Sequence, residues 1–225
     1  LAVMLLGIIA RGTAFAFRHY DAVIADMQKI YNKIFVYSSF ITPLFLGIIA
    51  GSAVAGRIDT NADNFLDAYV FSWLHWFSVA VGLFTATICG YLAAIFIIGE
   101  TDNPEDKRRF IRKAKHMSIA AAVAGTLVFI AAYFENIPLF EWVFGNTLGQ
   151  IAITAALVSL VVLWMLLNKK NTRILRILAG FQVTMILLTV TVRHYPNIVI
   201  LKNGKYLSLL EHAGQEEAIY WLGMA

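Results

Sequence analysis

The chain has 225 residues, of which 60% are hydrophobic, and carries a formal net charge of +4. A mean hydropathy of +0.71 excludes an ordinary water-soluble domain, where roughly 45–50% apolar residues is usual. The cationic excess lies in short segments beside apolar runs rather than on a polar face with interleaved aromatics, which excludes nucleic acid as a partner.

A helix needs about 20 mostly apolar residues to cross a hydrocarbon core about 30 Å thick. Six runs qualify: span A (Leu1 to about Phe17), B (about Ile34 to Ala55), C (about Val70 to Ile98), D (about Met117 to Phe134), E (about Leu148 to Leu167) and F (about Ile174 to Val192). None alternates as the strands of a membrane barrel do. The run from Ala218 to Ala225 opens a further apolar segment. The expected fold is an all-α polytopic transmembrane bundle of six spans plus the start of a seventh. Residues 1–225 read as one integral membrane domain, an interior piece of a longer chain.

Lysine and arginine accumulate on the cytoplasmic side of membrane proteins. Here Arg18, Lys29 and Lys33 follow span A, Lys107, Arg108, Arg109, Arg112, Lys113 and Lys115 follow C, and Lys169, Lys170, Arg173 and Arg176 follow E. The intervening loops hold Arg57 after B, none after D, and Arg193, Lys202 and Lys205 after F. The A–B, C–D and E–F loops are therefore expected in the cytoplasm, and the bilayer is the first partner.

Within span C, Ser78, Gly82, Ala86, Gly90 and Ala94 recur every fourth residue and place small side chains along one helix face, where another helix approaches closely. That helix belongs either to this chain or to a partner subunit. Cys89, alone in the span, reads as a small core residue. Trp73 and Trp76 suit an interfacial aromatic belt. His75 and His194 are expected at similar depth on the outer side, the minimum geometry for two axial haem ligands, although a histidine between two tryptophans also reads as an interfacial polar anchor. His19, His116 and His212 fall in loops facing solvent.

In the outer loop after span B, "DTNADN" (Asp59 to Asn64) begins like a calcium loop, but Asn64 stands where glycine is needed and Val70 where the bidentate glutamate belongs. A solvated acidic loop is expected, and no metal site. Asn203-Gly204 between apolar runs signals a hairpin. There is no phosphate-binding glycine loop, nucleophile elbow or paired-cysteine motif, and no carboxylate deep in a span of the kind that marks ion pathways.

Arg11 lies seven residues before Arg18 in "RGTAFAFR", two helical turns and about 10 Å deeper in the membrane. Both project from one face, with Phe15 between. An arginine at mid-bilayer costs about 2.5–3.5 kcal/mol, so Arg11 either snorkels to the headgroups or is sheltered by protein or a cofactor.

"RGTAFAFR" resembles the Arg-Gly-x-Ala-Phe-Glu-Phe-Arg signature of subunit II of cytochrome bd quinol oxidases, at the end of that family's third membrane helix. "SWLHWFSVAVGLF" and "CGYLAAIFIIGET" resemble its fifth helix and exit, and "GKYLSLLEHAGQEEAIYWLGMA" resembles the approach to its last helix. Ala16 stands where the family has an acidic residue, which removes the nearest counter-charge for Arg11 or Arg18. The family's first two helices, which carry its proton-path acidic residues, have no counterpart in this stretch.

The resemblance implies a multi-pass subunit in a bacterial plasma membrane, part of a respiratory oxidoreductase that passes electrons from quinol to dioxygen with protons from the cytoplasm. Haem b and haem d are expected in the partner subunit I. This chain would shield them and help deliver protons or oxygen, with a quinone as a further ligand and no catalytic residue of its own. Arg11 and Arg18 are the implied structural or haem-facing electrostatic pair, and Trp73, His75 and Trp76 the implied quinone or interface contacts. A secondary transporter, with helix breaks at Gly82, Gly90 and Gly125, is the alternative.

Overall fold

The computed structural model describes residues 1–20, 25–167, 172–208 and 220–221. It is built from α1 (Ala2–Tyr20), α2 (Ala25–Val54), the short α3 (Phe65–Tyr69), α4 (Trp76–Glu100), α5 (Pro104–Phe134), the short α6 (Leu139–Phe144), α7 (Thr147–Leu166), α8 (Thr172–His194), β1 (Asn197–Ile200) and β2 (Tyr206–Ser208). Among the described residues five helices, α2, α4, α5, α7 and α8, are long and apolar enough to cross a membrane. The sixth expected span, α1, is apolar only over Ala2–Phe17, about 24 Å at the helical rise. Lys169, Lys170, His212 and most of the expected seventh segment lie outside the described residues.

Helix ends follow capping chemistry more closely than hydropathy. Span C does not begin at Val70: α3 and a turn precede α4, which starts at Trp76 with His75 as its extended N-cap. Span D begins thirteen residues early because Asn103 accepts from the Glu105 N–H at 2.9 Å and Pro104, Glu105 and Asp106 occupy the first turn. Those residues suit the positive helix start, so the basic cluster from Lys107 to Lys115 is helical rather than loop. Asn146 caps α7 through the Leu148 N–H at 3.2 Å. Pro43 lies inside α2 and removes one backbone donor without ending the helix.

α4 is the hub, packing against α2, α5 and α8, while α1 packs on α2 and α7 on α8. The small stripe is used within the chain. Ser78, Gly82, Ala86 and Ala94 are buried; a Cβ at Gly82 would lie 2.7 Å from both Leu44 O and Ile48 Cγ1 of α2, and one at Gly90 would lie 3.3 Å from Met117 Sδ of α5. Cys89 is exposed on the outer surface of the bundle, not in the core. Two buried clusters mark the two ends of α4. One joins Phe77 and Ala80 to Val128, Ala132, Leu139 and Trp142; the other joins Ile95 and Ile98 to Ala114, Leu163, Leu175 and Ala179.

At the second end Arg176 of α8 fastens onto α4, donating to Glu100 Oε1 at 2.6 Å and Phe96 O at 3.0 Å, with its guanidinium over the Phe96 ring. Gly99 makes room for it, since a Cβ there would lie 2.7 Å from Arg176 Cζ and Nε. Gly99→Ala will displace the guanidinium and lower stability by roughly 1–2 kcal/mol, within the range of overpacking, read as a lower thermal midpoint of the purified protein. An unchanged midpoint would show that the guanidinium finds another seat.

The expected hairpin is present. β1 and β2 are antiparallel, pairing Val199 with Leu207 and Ile200 with Tyr206, and Gly204 adopts φ +71° in the turn, where only glycine is free of strain. Leu201 bridges Ile58, Lys202 N donates to Ile58 O at 3.0 Å, and Lys202 Nζ meets Asp59 Oδ2 at 3.1 Å. The acidic loop is therefore tied to the hairpin. Gly56, at φ +66° and facing Ile200, turns the chain out of α2 into this loop.

Candidate functional site

Arg11 sits on the exposed side of α1 with its guanidinium 5.6 Å from the centroid of the Phe35 ring of α2. Phe15 lies 6.4 Å from the same ring. Among the described residues no carboxylate is paired with Arg11. The backbone of Arg18 ends the same helix, and its side chain lies outside the described residues.

Trp73, His75 and Trp76 point three different ways. Trp73 Nε1 donates to Tyr69 O at 2.6 Å and its ring lies 5.9 Å from Phe45. Trp76 is 80% exposed, as a belt residue is. His75 turns inward.

That inward turn forms a polar centre the sequence reading lacked. His75 Nδ1 lies 3.0 Å from Glu135 Oε2, and Arg57 Nη2 lies 3.4 Å from the same oxygen. Glu135 Oε1 also accepts the Phe77 N–H at 3.4 Å. The side chains of His75 and Glu135 are 3% and 7% exposed, and that of Arg57 43%. Burial holds the His75 imidazole below its ordinary pKa; the Glu135 carboxylate pulls it up and Arg57 pushes it down. Three local devices build the centre. The N-cap geometry of α4 directs His75, the end of α5 delivers Glu135 just before Asn136 turns the chain at φ 56°, and Gly56 with the hairpin sets Arg57.

His194 is placed apart from this arrangement, with Nδ1 3.0 Å from Val190 O and its ring 4.4 Å edge-on to Trp142. His75 Nε2 is enclosed by protein and has no hydrogen-bond partner among the described residues. An enclosed nitrogen on one side and a ring packed on tryptophan on the other do not fit a haem held between these two residues.

Between the two buried clusters lies an apolar cavity of about 590 Å³ lined by α4, α5, α6, α7 and α8. Its polar groups are few: Tyr91 Oη donates to Gln182 Oε1 at 3.0 Å, and Ser118 Oγ accepts from Trp164 Nε1 at 3.2 Å.

Five apolar spans among the described residues, the hub α4 one of them, define a polytopic α-helical membrane protein. The family model described as cytochrome bd terminal oxidase subunit II matches residues 1–225, and the chain belongs to that family. The fold is similar to a chain in the structure of bd oxidase from Geobacillus thermodenitrificans, with a TM-score of 0.74 at 14% sequence identity. That likeness covers 99% of this chain and 66% of the other. A comparison with curated proteins gives no match.

Proposed function

We propose that this chain is the haem-free subunit of a membrane quinol:dioxygen oxidoreductase, with haems b and d carried by the partner subunit I. When bound there, the haems supply the electron transfer and oxygen reduction. Membership of the subunit II family along residues 1–225 carries the reading and disfavours the transporter.

Within such a complex the outward face of α1 is the partner surface. Among the described residues α1 packs chiefly on α2 and leaves Leu5, Leu6, Ile9 and Phe15 exposed around Arg11. A guanidinium at that depth is stabilised far better by a partner's acidic or carbonyl groups than by lipid. The A–B, C–D and E–F loops lie on the cytoplasmic side in this reading. The apolar cavity suits the chain of a lipid or quinone, with the Gln182 amide for a carbonyl group and Trp73 and Trp76 at the interface where a quinone enters. The buried bundle excludes water and lipid from the partner's haem side.

Arg11→Leu in the intact complex tests the reading. The expected result is loss of the co-purifying haem-bearing subunit and at least a tenfold fall in quinol-dependent oxygen consumption, the scale of about 1.4 kcal/mol of lost interaction. Full assembly with undiminished oxygen consumption would overturn the role of this residue.

A further inference from the structure

His75 and Glu135 carry an inference independent of the oxidase reading. Nδ1 of His75 faces two groups at once: Glu135 Oε2 at 3.0 Å and the Ser78 backbone N–H, whose nitrogen is 3.3 Å away. A ring nitrogen either donates or accepts. If Nδ1 carries the proton, it donates to the Glu135 carboxylate and leaves the α4 cap; if it is bare, it accepts from Ser78 and Glu135 must supply the proton between them.

Nε2 decides between these arrangements. It is buried with no partner among the described residues, where an N–H would be a donor left unmade and a bare lone pair costs less. Arg57 lies 3.4 Å from the carboxylate oxygen that faces Nδ1. The lowest-cost state of the neutral ring therefore has Nδ1 protonated toward Glu135 and Nε2 bare, the relation by which a carboxylate fixes the tautomer of a basic imidazole in acid–base dyads.

The charged groups around the ring are Glu135 from the end of α5 and Arg57 from the loop after α2; the adjacent Lys202 of the hairpin is neutralised by Asp59. α4 adds no charge, only the Ser78 N–H and the Phe77 ring, stacked at 6.4 Å. Arg57, half exposed, is the link between this buried pair and water.

We propose that His75 and Glu135 form a proton-binding site at the hairpin end of the bundle, held as the Nδ1–H tautomer and accepting one further proton at Nε2. Uptake converts the neutral ring to imidazolium while Glu135 stays ionised, or passes the Nδ1 proton to Glu135 so that Nδ1 takes up the Ser78 cap. Either way the α4 N-terminus registers the arrival of the proton, because Nδ1 is shared between Glu135 and the Ser78 N–H. Because burial and Arg57 hold the folded-state pKa of His75 below its ordinary value, this group stabilises the fold above about pH 6.5, and that contribution is lost as pH falls from there toward the folded-state value.

The test is magic-angle-spinning NMR of the full-length chain in its native complex, with ¹³C-carbonyl leucine and ¹⁵N-histidine. Leu74-His75 is the only Leu-His step in these 225 residues, and the signal lost in a His75→Gln sample identifies its resonances within the complex. The expected result is a neutral Nδ1–H ring at pH 7.5 that becomes charged at a lower pH than an exposed histidine, with Arg57→Gln raising that pH. An Nε2–H tautomer at pH 7.5, or a ring that charges at the ordinary pH of histidine and ignores Arg57→Gln, would overturn the proposal. Neither readout depends on oxygen consumption, so failure of the oxidase reading leaves this result interpretable.

Discussion

Gly82→Leu will prevent the chain from assembling its α2–α4 pair and will abolish recovery of folded protein. The two helices mesh through reciprocal glycines: a Cβ on Gly82 would stand 2.7 Å from Leu44 O, and a Cβ on Gly47 would stand 2.7 Å from Val81 O and Thr85 Cβ. Leu44 O and Val81 O are backbone atoms that cannot rotate aside. Even Gly82→Ala forces the axes apart along an interface that depends on close van der Waals contact, because lipid provides no hydrophobic drive between helices. Overpacking costs about 1–3 kcal/mol for an added methylene or two, and a leucine adds more than that. Gly180→Ala is the control, since nothing lies within 4 Å of a Cβ there. Yield and resistance to denaturant are the measurements, and a Gly82→Leu protein as stable as the control would contradict the packing.

Glu135→Leu will lower stability by about 3–5 kcal/mol, the range found when one partner is removed from a buried ion pair. The cost arises on the groups left behind. His75 Nδ1 and the Phe77 N–H lose their acceptor in a buried setting, and each buried group left unmatched costs about 1–3 kcal/mol. Arg57→Ala will cost much less, up to about 1 kcal/mol, because that side chain is 43% exposed and water replaces its partner. Thermal unfolding of the three proteins side by side gives the order, and equal losses for Glu135→Leu and Arg57→Ala would show that the centre is not buried as described.

What the sequence made legible was whatever depends on long apolar runs or on local turn chemistry. The spans after the first, the Asn203-Gly204 hairpin and the small stripe of α4 are of this kind. Termini were harder. Six basic residues hid the first turns of α5, where the Asn103 cap and Pro104 outweigh low hydropathy, and a proline inside α2 left the helix running because its neighbours hold it. The pairing of His75 with Glu135 was out of reach because sixty residues separate them; only the coincidence of a histidine and a carboxylate at the same end of adjacent spans hinted at it. Arg11 was visible as a charge in an apolar run, but its seat over Phe35 required the crossing of α1 and α2.

The hairpin gives the bundle a mechanical tether. It leaves α8 within three residues of its end and clips its tip to Ile58, the residue after Arg57. The chain leaving α8 is therefore joined, through the Lys202–Ile58 hydrogen bond, to the neighbour of the arginine that faces Glu135 at the start of α4.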